Sequence, residues 1–411
     1  MDFDGIVMVG GGIAGLATAL ALHRVGMKRI LVLERAESLR TSGTAIGMWS
    51  NGWKALDALG VGQSLRQQHC LLQNSKLISR SDGTTVNIPI DTSFQELRFV
   101  KRALLLETLA SVLPPEAIKF NCKVVDVRQF PRSKLMWEIE LEDGSIIRAK
   151  GVIACDGVNS LLAESVLGLP RATSSAQCAV RGLSSYPEGH PFPPTRQLHM
   201  AEGFLMGIIP VTEKEVYWFI SSASTPPDIW EIVQNPDRIF QWSEATLKEF
   251  PEEIREMVKK TSNDVIDMTV LKFRWPWSML MGRLWKGTMT AVGDAMHPMT
   301  PYVAQGGCST LEDAIVLARC FVHVEEDSIN KLDESQRIIE AFKKYTNERR
   351  WRWIRLMTQS YITGIVQEGS NIFLKFIRDK IMLRIKVPNP SDFDCGTLPT
   401  IAPLKSSLLN Q

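Results

Sequence analysis

Ile6-Val7-Met8-Val9-Gly10-Gly11-Gly12-Ile13-Ala14-Gly15 is the stretch whose reading decides the fold. Four apolar, mostly β-branched residues suit a buried parallel strand, and the glycines form a turn. A helical period rich in Ala and Leu follows from Leu16 to Val25 and stops at Gly26, a C′ glycine. A second apolar run, Ile30-Leu31-Val32-Leu33, ends at Glu34-Arg35. Strand, glycine turn, helix, strand and acid make a dinucleotide-binding βαβ unit. Gly10 permits the tight turn, Gly12 lets a pyrophosphate approach the backbone, and Gly15 lets helix and strand pack closely. The amides of Gly11, Gly12, Ile13 and Ala14 lie at the positive end of the helix dipole, where phosphate oxygens are favoured. Glu34, about 20 residues on, is the acid that accepts hydrogen bonds from ribose hydroxyls.

Outward from there, two further strands end in the same way. Val152-Ile153-Ala154-Cys155 meets Asp156-Gly157, and Thr288-Met289-Thr290-Ala291-Val292 meets Gly293-Asp294. Between the first two lie a loop at 43–52, a helix at 51–59, a hairpin of 77–78 with 85–90, and a helix at 102–113. An antiparallel meander at 123–127, 136–141 and 146–147 precedes the second run. Residues 172–224 read as strands, 235–260 as helix and 268–273 as strand, so this block is expected to form a second domain with a sheet facing the first. Helices dominate from Gly293 to about residue 385, and the proline-bearing end reads as an irregular tail. The whole is an α/β chain.

Composition narrows the function. The 411 residues carry a net charge of only +2, which argues for neither nucleic acid nor an acidic partner. Seven scattered cysteines without a CxxC pair speak against a disulfide framework or zinc site and suit a reducing, cytoplasmic setting. No signal or transit peptide is expected ahead of the first strand. No apolar run reaches the length of about 18 residues that a spanning helix needs. Neither a G-x-S-x-G elbow nor a Walker loop occurs.

The third strand continues as Gly293-Asp294-Ala295-Met296-His297-Pro298-Met299-Thr300-Pro301, then Gln305-Gly306-Gly307, then a helix at 309–322 bearing Glu312 and Asp313. With these three ordered motifs the chain resembles the FAD-dependent monooxygenases of the aromatic-hydroxylase group. It is similar to para-hydroxybenzoate and salicylate hydroxylases and zeaxanthin epoxidase, and most of all to the plant salicylate-hydroxylase-like subgroup. The resemblance implies a Rossmann-like FAD domain of glutathione-reductase type (1–75, 100–170 and 285–345). It also implies a mixed β-sheet substrate domain (76–99 and 171–284) and a C-terminal helical region and tail (346–411). It implies that Gly10, Gly12 and Gly15 line the FAD pyrophosphate, Glu34 holds the adenosine ribose, and Arg102 contacts the flavin side. Asp156-Gly157 would serve FAD and the nicotinamide donor, Asp294 the ribityl chain, and Pro301, Gly306 and Gly307 the isoalloxazine ring, with Gly11, Ile13, Ala14, Arg35 and Gln305 also at the cofactor. The implied reaction consumes NAD(P)H and O₂. A flavin C4a-hydroperoxide then passes one oxygen to a small aromatic or alkene substrate.

Against these stand plainer readings. His297 in its turn is first a structural hydrogen-bonder, Cys308 first a packing residue, and Asp294 with His297 lacks the further ligands of a metal site. His199 and Tyr217 are candidates to polarise a phenol, with Phe204, Met206 and Phe219 beside them, although alternation on a sheet sends half of such residues into the core. The apolar and basic residues at 351–385 fit a helical lid, with a peripheral membrane face as the rival. A monomer or weak dimer is expected. Between Pro301 and Gln305 the family pattern expects glycine where this chain has Ala304, which is strained if that position needs positive φ. That substitution keeps open a second function, a flavin-binding protein of the same fold acting as a cyclase scaffold or ligand binder.

Overall fold

The computed structural model describes residues 1–39, 44–131, 133–327, 333–368 and 390–399. Two large sheets organise them. The first has eight strands in the order Trp285–Lys286, Met289–Ala291, Ile146–Ala154, Asp2–Val9, Ile30–Leu33 and Ile118–Lys119, with Ser133–Leu141 and Val124–Phe130 branching from Ile146–Ala154. Its centre is parallel, and the branch is the antiparallel excursion. Helices Ile13–Arg24, Gly306–Asp327 and Glu334–Glu368 supply much of the apolar core around it.

The parallel strands are in register at their carboxyl ends: Val9 stands beside Leu33 and Ala154, and Ala154 beside Ala291. Neighbouring strands lie about 4.8 Å apart. The turns after Val9, Ala154 and Ala291 therefore emerge side by side.

The second sheet has seven strands, in the order Asp267–Phe273, Thr173–Ser185, Glu215–Ser222, Phe204–Pro210, Thr195–Ala201, Asn74–Ser79 and Thr85–Pro89. All pairs are antiparallel except Thr195–Ala201 with Asn74–Ser79. One face, through Met206, Ile208, Val216, Trp218 and Ile220, packs on helices Pro236–Thr246 and Glu252–Lys259. The other, through Ile209, Tyr217 and Phe219, meets Phe99 and Trp49.

Several expectations are corrected. Residues 43–52 are not all loop: Ala45–Met48 is a strand paired antiparallel with Arg98–Lys101, and a helix already begins at Ser50. Gly47 is tolerated in this strand because the Phe99 ring covers it, 3.1 Å from where a Cβ would stand. The runs at 146–147 and 152–155 are one strand, Ile146–Ala154. The helix expected at 235–260 is two, divided at Phe250-Pro251. The helix expected at 309–322 runs from Gly306 to Asp327. Of the expected C-terminal helical region, the part beyond residue 368 lies outside the described residues until 390. Among the described residues no helix is long and apolar enough to cross a membrane.

Candidate functional site

The three turns make the site. Gly10 has φ +111°, and its hypothetical Cβ would stand 2.5 Å from the Cys155 carbonyl oxygen of the adjacent turn. A Cβ on Gly15 would fall 1.9 Å from the Gly10 carbonyl oxygen, so helix and strand meet at a distance only glycine allows. Gly12, the N-cap of helix Ile13–Arg24, differs from both. A Cβ there would meet no atom within 4 Å, so the turn is open in front of the helix start. Glu34 is buried, and its carboxylate accepts hydrogen bonds from the amides of Gly11 (2.7 Å) and Ala36 (2.9 Å), which fix it beside the glycine turn. Arg35 points to solvent.

In the second turn, Asp156 Oδ2 accepts from Leu161 N at 3.0 Å, whereas Oδ1 is buried with no partner. Burial raises this carboxyl above the usual range. Gly157, with φ +82°, also faces open space. In the third turn, Asp294 is reached by solvent, yet enough protein surrounds it that desolvation lifts its carboxyl, against the opposing pull of His297 and Arg181. Exposure together with desolvation describes a carboxylate on the wall of a deep cleft.

The segment after Pro301 closes the same cleft. Pro301–Val303 is a single 3₁₀ turn, and Ala304 has φ +48° and ψ +41°, the left-handed conformation. The condition for strain is therefore met. Ala304→Gly should stabilise the protein by about 0.5–1 kcal/mol, the left-handed penalty less the extra entropy of unfolded glycine. Chemical denaturation measures this, and a clear loss of stability would contradict it. Tyr302 is held on both sides: its hydroxyl is 3.2 Å from Ser221 Oγ on the seven-stranded sheet, and its ring fills the space a side chain at Gly364 would need.

Helix Gly306–Asp327 starts where Gly306 and Gly307 stand, so both glycines belong to its first turn rather than to a loop before it. Gly306 faces open space, while Gly307 is closed in by Ile46 and Met48. The Gln305 side chain has one end fixed and one end open, its Nε2 having no hydrogen-bond partner among the described residues. It is buried, and its Oε1 accepts from Asn51 Nδ2 at 2.7 Å. Arg102 opens helix Arg102–Ser111 and donates its backbone N–H to the Thr44 carbonyl at 3.0 Å.

The structure separates the two substrate-side candidates. Tyr217 lies on the face toward Tyr302, stacked on Phe99 at 5.5 Å, with Phe219 next to it. His199 lies on the opposite face with Phe204 and Met206, against Phe250, and is not brought to the cleft. Alternation along a strand puts residues of opposite parity on opposite faces, and here the helical layer claims the face of His199. Burial takes its imidazole down to about 4, leaving it neutral at physiological pH.

His297 and Cys308 are structural. His297 is fully buried, hydrogen-bonded to Asp313 Oδ2 at 2.6 Å and stacked on Trp353. Cys308 Sγ accepts from Trp49 N at 3.4 Å, and burial pushes its thiol up to about 12.

Sequence reasoning missed the ionic cluster beneath the turns. Arg349 Nε donates to Asp313 Oδ1 at 2.7 Å and Nη2 to Glu312 Oε2 at 2.6 Å, while Arg352 reaches Glu312 Oε1 at 2.8 Å. Asp313 Oδ2 also receives Gly293 N at 3.2 Å, tying the third turn to both long helices. Burial pushes the Asp313 carboxyl up, but His297 and Arg349 overcome this and hold it below the usual range. The signal was present: two adjacent carboxylates on an otherwise apolar helix cannot be buried without cations.

Glycine cradles open to solvent, an unpartnered Asp156 oxygen and a solvent-facing Asp294 fit a dinucleotide that spans the three turns. Comparison with known proteins agrees. Residues 5–350 match the family described as FAD binding domain. The chain is 38% identical over 405 residues to Monooxygenase 2 of Arabidopsis thaliana, covering 96% of this chain and 98% of that one. It is 27% identical to 3-hydroxybenzoate 6-hydroxylase of Klebsiella oxytoca, over 89% of each chain. Its fold superposes on HpxO of Klebsiella pneumoniae, solved with FAD and uric acid, with a TM-score of 0.77, 22% identity and 90% of each chain covered. This chain belongs to the FAD-binding domain family, and within it to the FAD-dependent monooxygenases.

Proposed function

We propose that this chain holds FAD along the three turns, draws electrons from NAD(P)H, and transfers one oxygen atom from O₂ to a small aromatic or alkene-containing substrate. The convergence of three in-register turns opposite the aromatic face of a second sheet carries this reading. Residues 1–75, 100–170 and 285–345 then form the cofactor domain, residues 76–99 and 171–284 the substrate domain, and 346–411 the C-terminal region. Two relatives support a flat, conjugated substrate: one is named for a hydroxybenzoate, the other was solved with uric acid.

Bound FAD would supply the electron transfer and oxygen activation. The chain's own residues supply position, dryness and charge. The amides of Gly12, Ile13 and Ala14 would be the donors for pyrophosphate oxygens, the Gly11 amide holding Glu34, which has lone pairs left for ribose hydroxyls. Asp156 and Gly157 would serve the same cofactor from the second turn, and Asp294 would accept hydrogen bonds from hydroxyls of the ribityl chain. Amides at Gly306 and Gly307, at the positive end of a 22-residue helix, stabilise negative charge on the reduced ring. Pro301 would border that ring, and Arg102 would hold the flavin side. On the substrate side Tyr217 is the polar aromatic group. Burial holds its phenol above the ordinary range, so it stays protonated and able to donate to a substrate oxygen. All seven cysteines are unpaired, which suits work in the cytoplasm.

The test is to give the FAD-loaded protein NADPH and O₂ with a panel of phenols and alkenes. NADPH loss, peroxide and oxygenated product are followed together. Ligand-stimulated NADPH loss with product supports the proposal. Ligand binding with no flavin reduction supports a binder without oxygen transfer, the reading that Ala304 keeps open.

A further inference from the structure

The cleft-side face of the seven-stranded sheet can be read row by row. In one row Arg181, Phe219, Gly207, Leu198 and Leu77 are paired across five strands. In the next, Leu183 pairs with Tyr217 and Tyr217 with Ile209; Arg196, one residue before the Gln197–Ile208 pair, falls beside Ile209 and pairs with Ser75. An aromatic and aliphatic floor is thus bounded by an arginine at each end, three strand spacings or about 14 Å apart across the sheet and one row apart along it.

The two arginines are not equivalent. Arg181 has a carboxylate within electrostatic range, its charge pulling the Asp294 carboxyl down. Arg196 faces none. Its Nε and Nη2 donate only to the hydroxyl of Ser75, at 3.0 and 2.8 Å, and its Nη1 has no partner among the described residues. The guanidinium lies over the Trp49 ring, 5.6 Å from its centroid, and the Trp49 indole nitrogen is itself buried without an acceptor. Burial lowers the guanidinium to about 10, a drop that no neighbouring carboxylate offsets. Arg196 is half-buried; the more enclosed Arg349 and Arg352 are answered by Glu312 and Asp313, and Arg274 by the carbonyls of Pro170, Ala295 and Met296. Arg24, at the end of its helix, shares with Arg196 the lack of a carboxylate but has no indole N–H or apolar floor beside it in the cleft. An unanswered guanidinium beside an unanswered indole N–H, at the end of an apolar floor, describes a site for an acceptor that the protein does not itself provide.

Resting on the proposed function, we propose that Arg196 is a specificity-determining residue that receives the carboxylate of a flat, apolar substrate whose ring lies along Tyr217 and Ile209. The guanidinium offers its free Nη1 edge to the carboxylate, and Trp49 holds its plane from the other side.

The test uses the FAD-loaded protein and three matched pairs: benzoate and benzamide, 2-naphthoate and 2-naphthamide, indole-3-carboxylate and its amide. Binding is read at pH 7 from the flavin absorbance shift and from ligand-dependent thermal stabilisation, neither of which requires turnover. The wild-type protein should bind at least one acid 10-fold or more tightly than its amide. Arg196→Gln should abolish that preference, and Arg196→Lys should retain part of it. Because Arg196 makes no ion pair, Arg196→Gln should keep its FAD and a melting temperature equal to or above that of wild type. Equal binding of acids and amides, no acid bound at all, or a preference that survives Arg196→Gln would overturn the inference. If neutral phenols are hydroxylated while acids are ignored, this inference falls and the proposed function stands. If acids bind through Arg196 and nothing is oxygenated, the reverse holds.

Discussion

The Gly12→Asp variant should fold as well as wild type and bind almost no FAD. Gly12 is the N-cap of helix Ile13–Arg24 and supplies no side-chain cap of its own. Aspartate is among the best residues for that position, so the helix should gain a few tenths of a kcal/mol rather than lose them. The fold has room as well, because a Cβ at Gly12 meets nothing within 4 Å. That same room is where the pyrophosphate must lie. A carboxylate about 4 Å from a phosphate charge, at an effective dielectric near 20, costs about 4 kcal/mol, or roughly three orders of magnitude in affinity. The expected result is an apoprotein with unchanged circular dichroism and melting temperature that no longer quenches flavin fluorescence in a titration. Gly15→Ala is the contrasting control: its methyl would collide with the Gly10 carbonyl, so it should lose the fold and the cofactor together. A yellow Gly12→Asp protein of normal affinity would remove the glycine turn from the cofactor site.

What made that turn legible is that its signals are local. A β-branched run, a glycine turn and a helical period fall within about 20 residues, and the runs ending at Cys155 and Val292 follow the same logic. Strand length was less legible. The first strand starts at Asp2 rather than Ile6, and Ile146–Ala154 continues through Arg148 and Lys150. Charged residues interrupt the apolar pattern there, and cross-strand ion pairs compensate them: Arg148 with Asp2 and Glu138, and Lys150 with Asp4. His199 shows a different limit. Period two tells which residues share a face with it, but which face receives the helices depends on Pro236–Thr246 and Glu252–Lys259, elements remote in the chain. The partner of Gln305 was equally out of reach: Asn51, more than 250 positions earlier, holds its Oε1.

The cluster at Arg349 lies furthest from anything local sequence can convey, and its removal should produce the largest loss of stability. Arg349 is fully buried and bridges Glu312 and Asp313, themselves fully buried, so Arg349→Met leaves two carboxylates short of a cation. Breaking a buried pair from one side costs about 3–5 kcal/mol, because the surviving charge has lost its compensation. The pH dependence should identify the cause. In the wild-type protein the Asp313 carboxyl is held below its unfolded value of 3.8, so its contribution is present above about pH 4 and fades as pH falls through the folded value. Without Arg349, burial is opposed by less positive charge and the folded value rises. Protonation then favours the fold, and the penalty grows as pH rises. The gap between variant and wild type in urea denaturation should therefore be widest near pH 7 and narrow toward pH 4. Adding Asp313→Asn to Arg349→Met should recover part of the loss at pH 7, since a neutral amide needs no cation. Because Asp313 also holds the Gly293 amide, the single variant should bind FAD more weakly even where it remains folded. A loss below about 1 kcal/mol at pH 7, or a gap that widens in acid, would mean that the long helices are joined by apolar packing alone and that the ion cluster does not support the third turn.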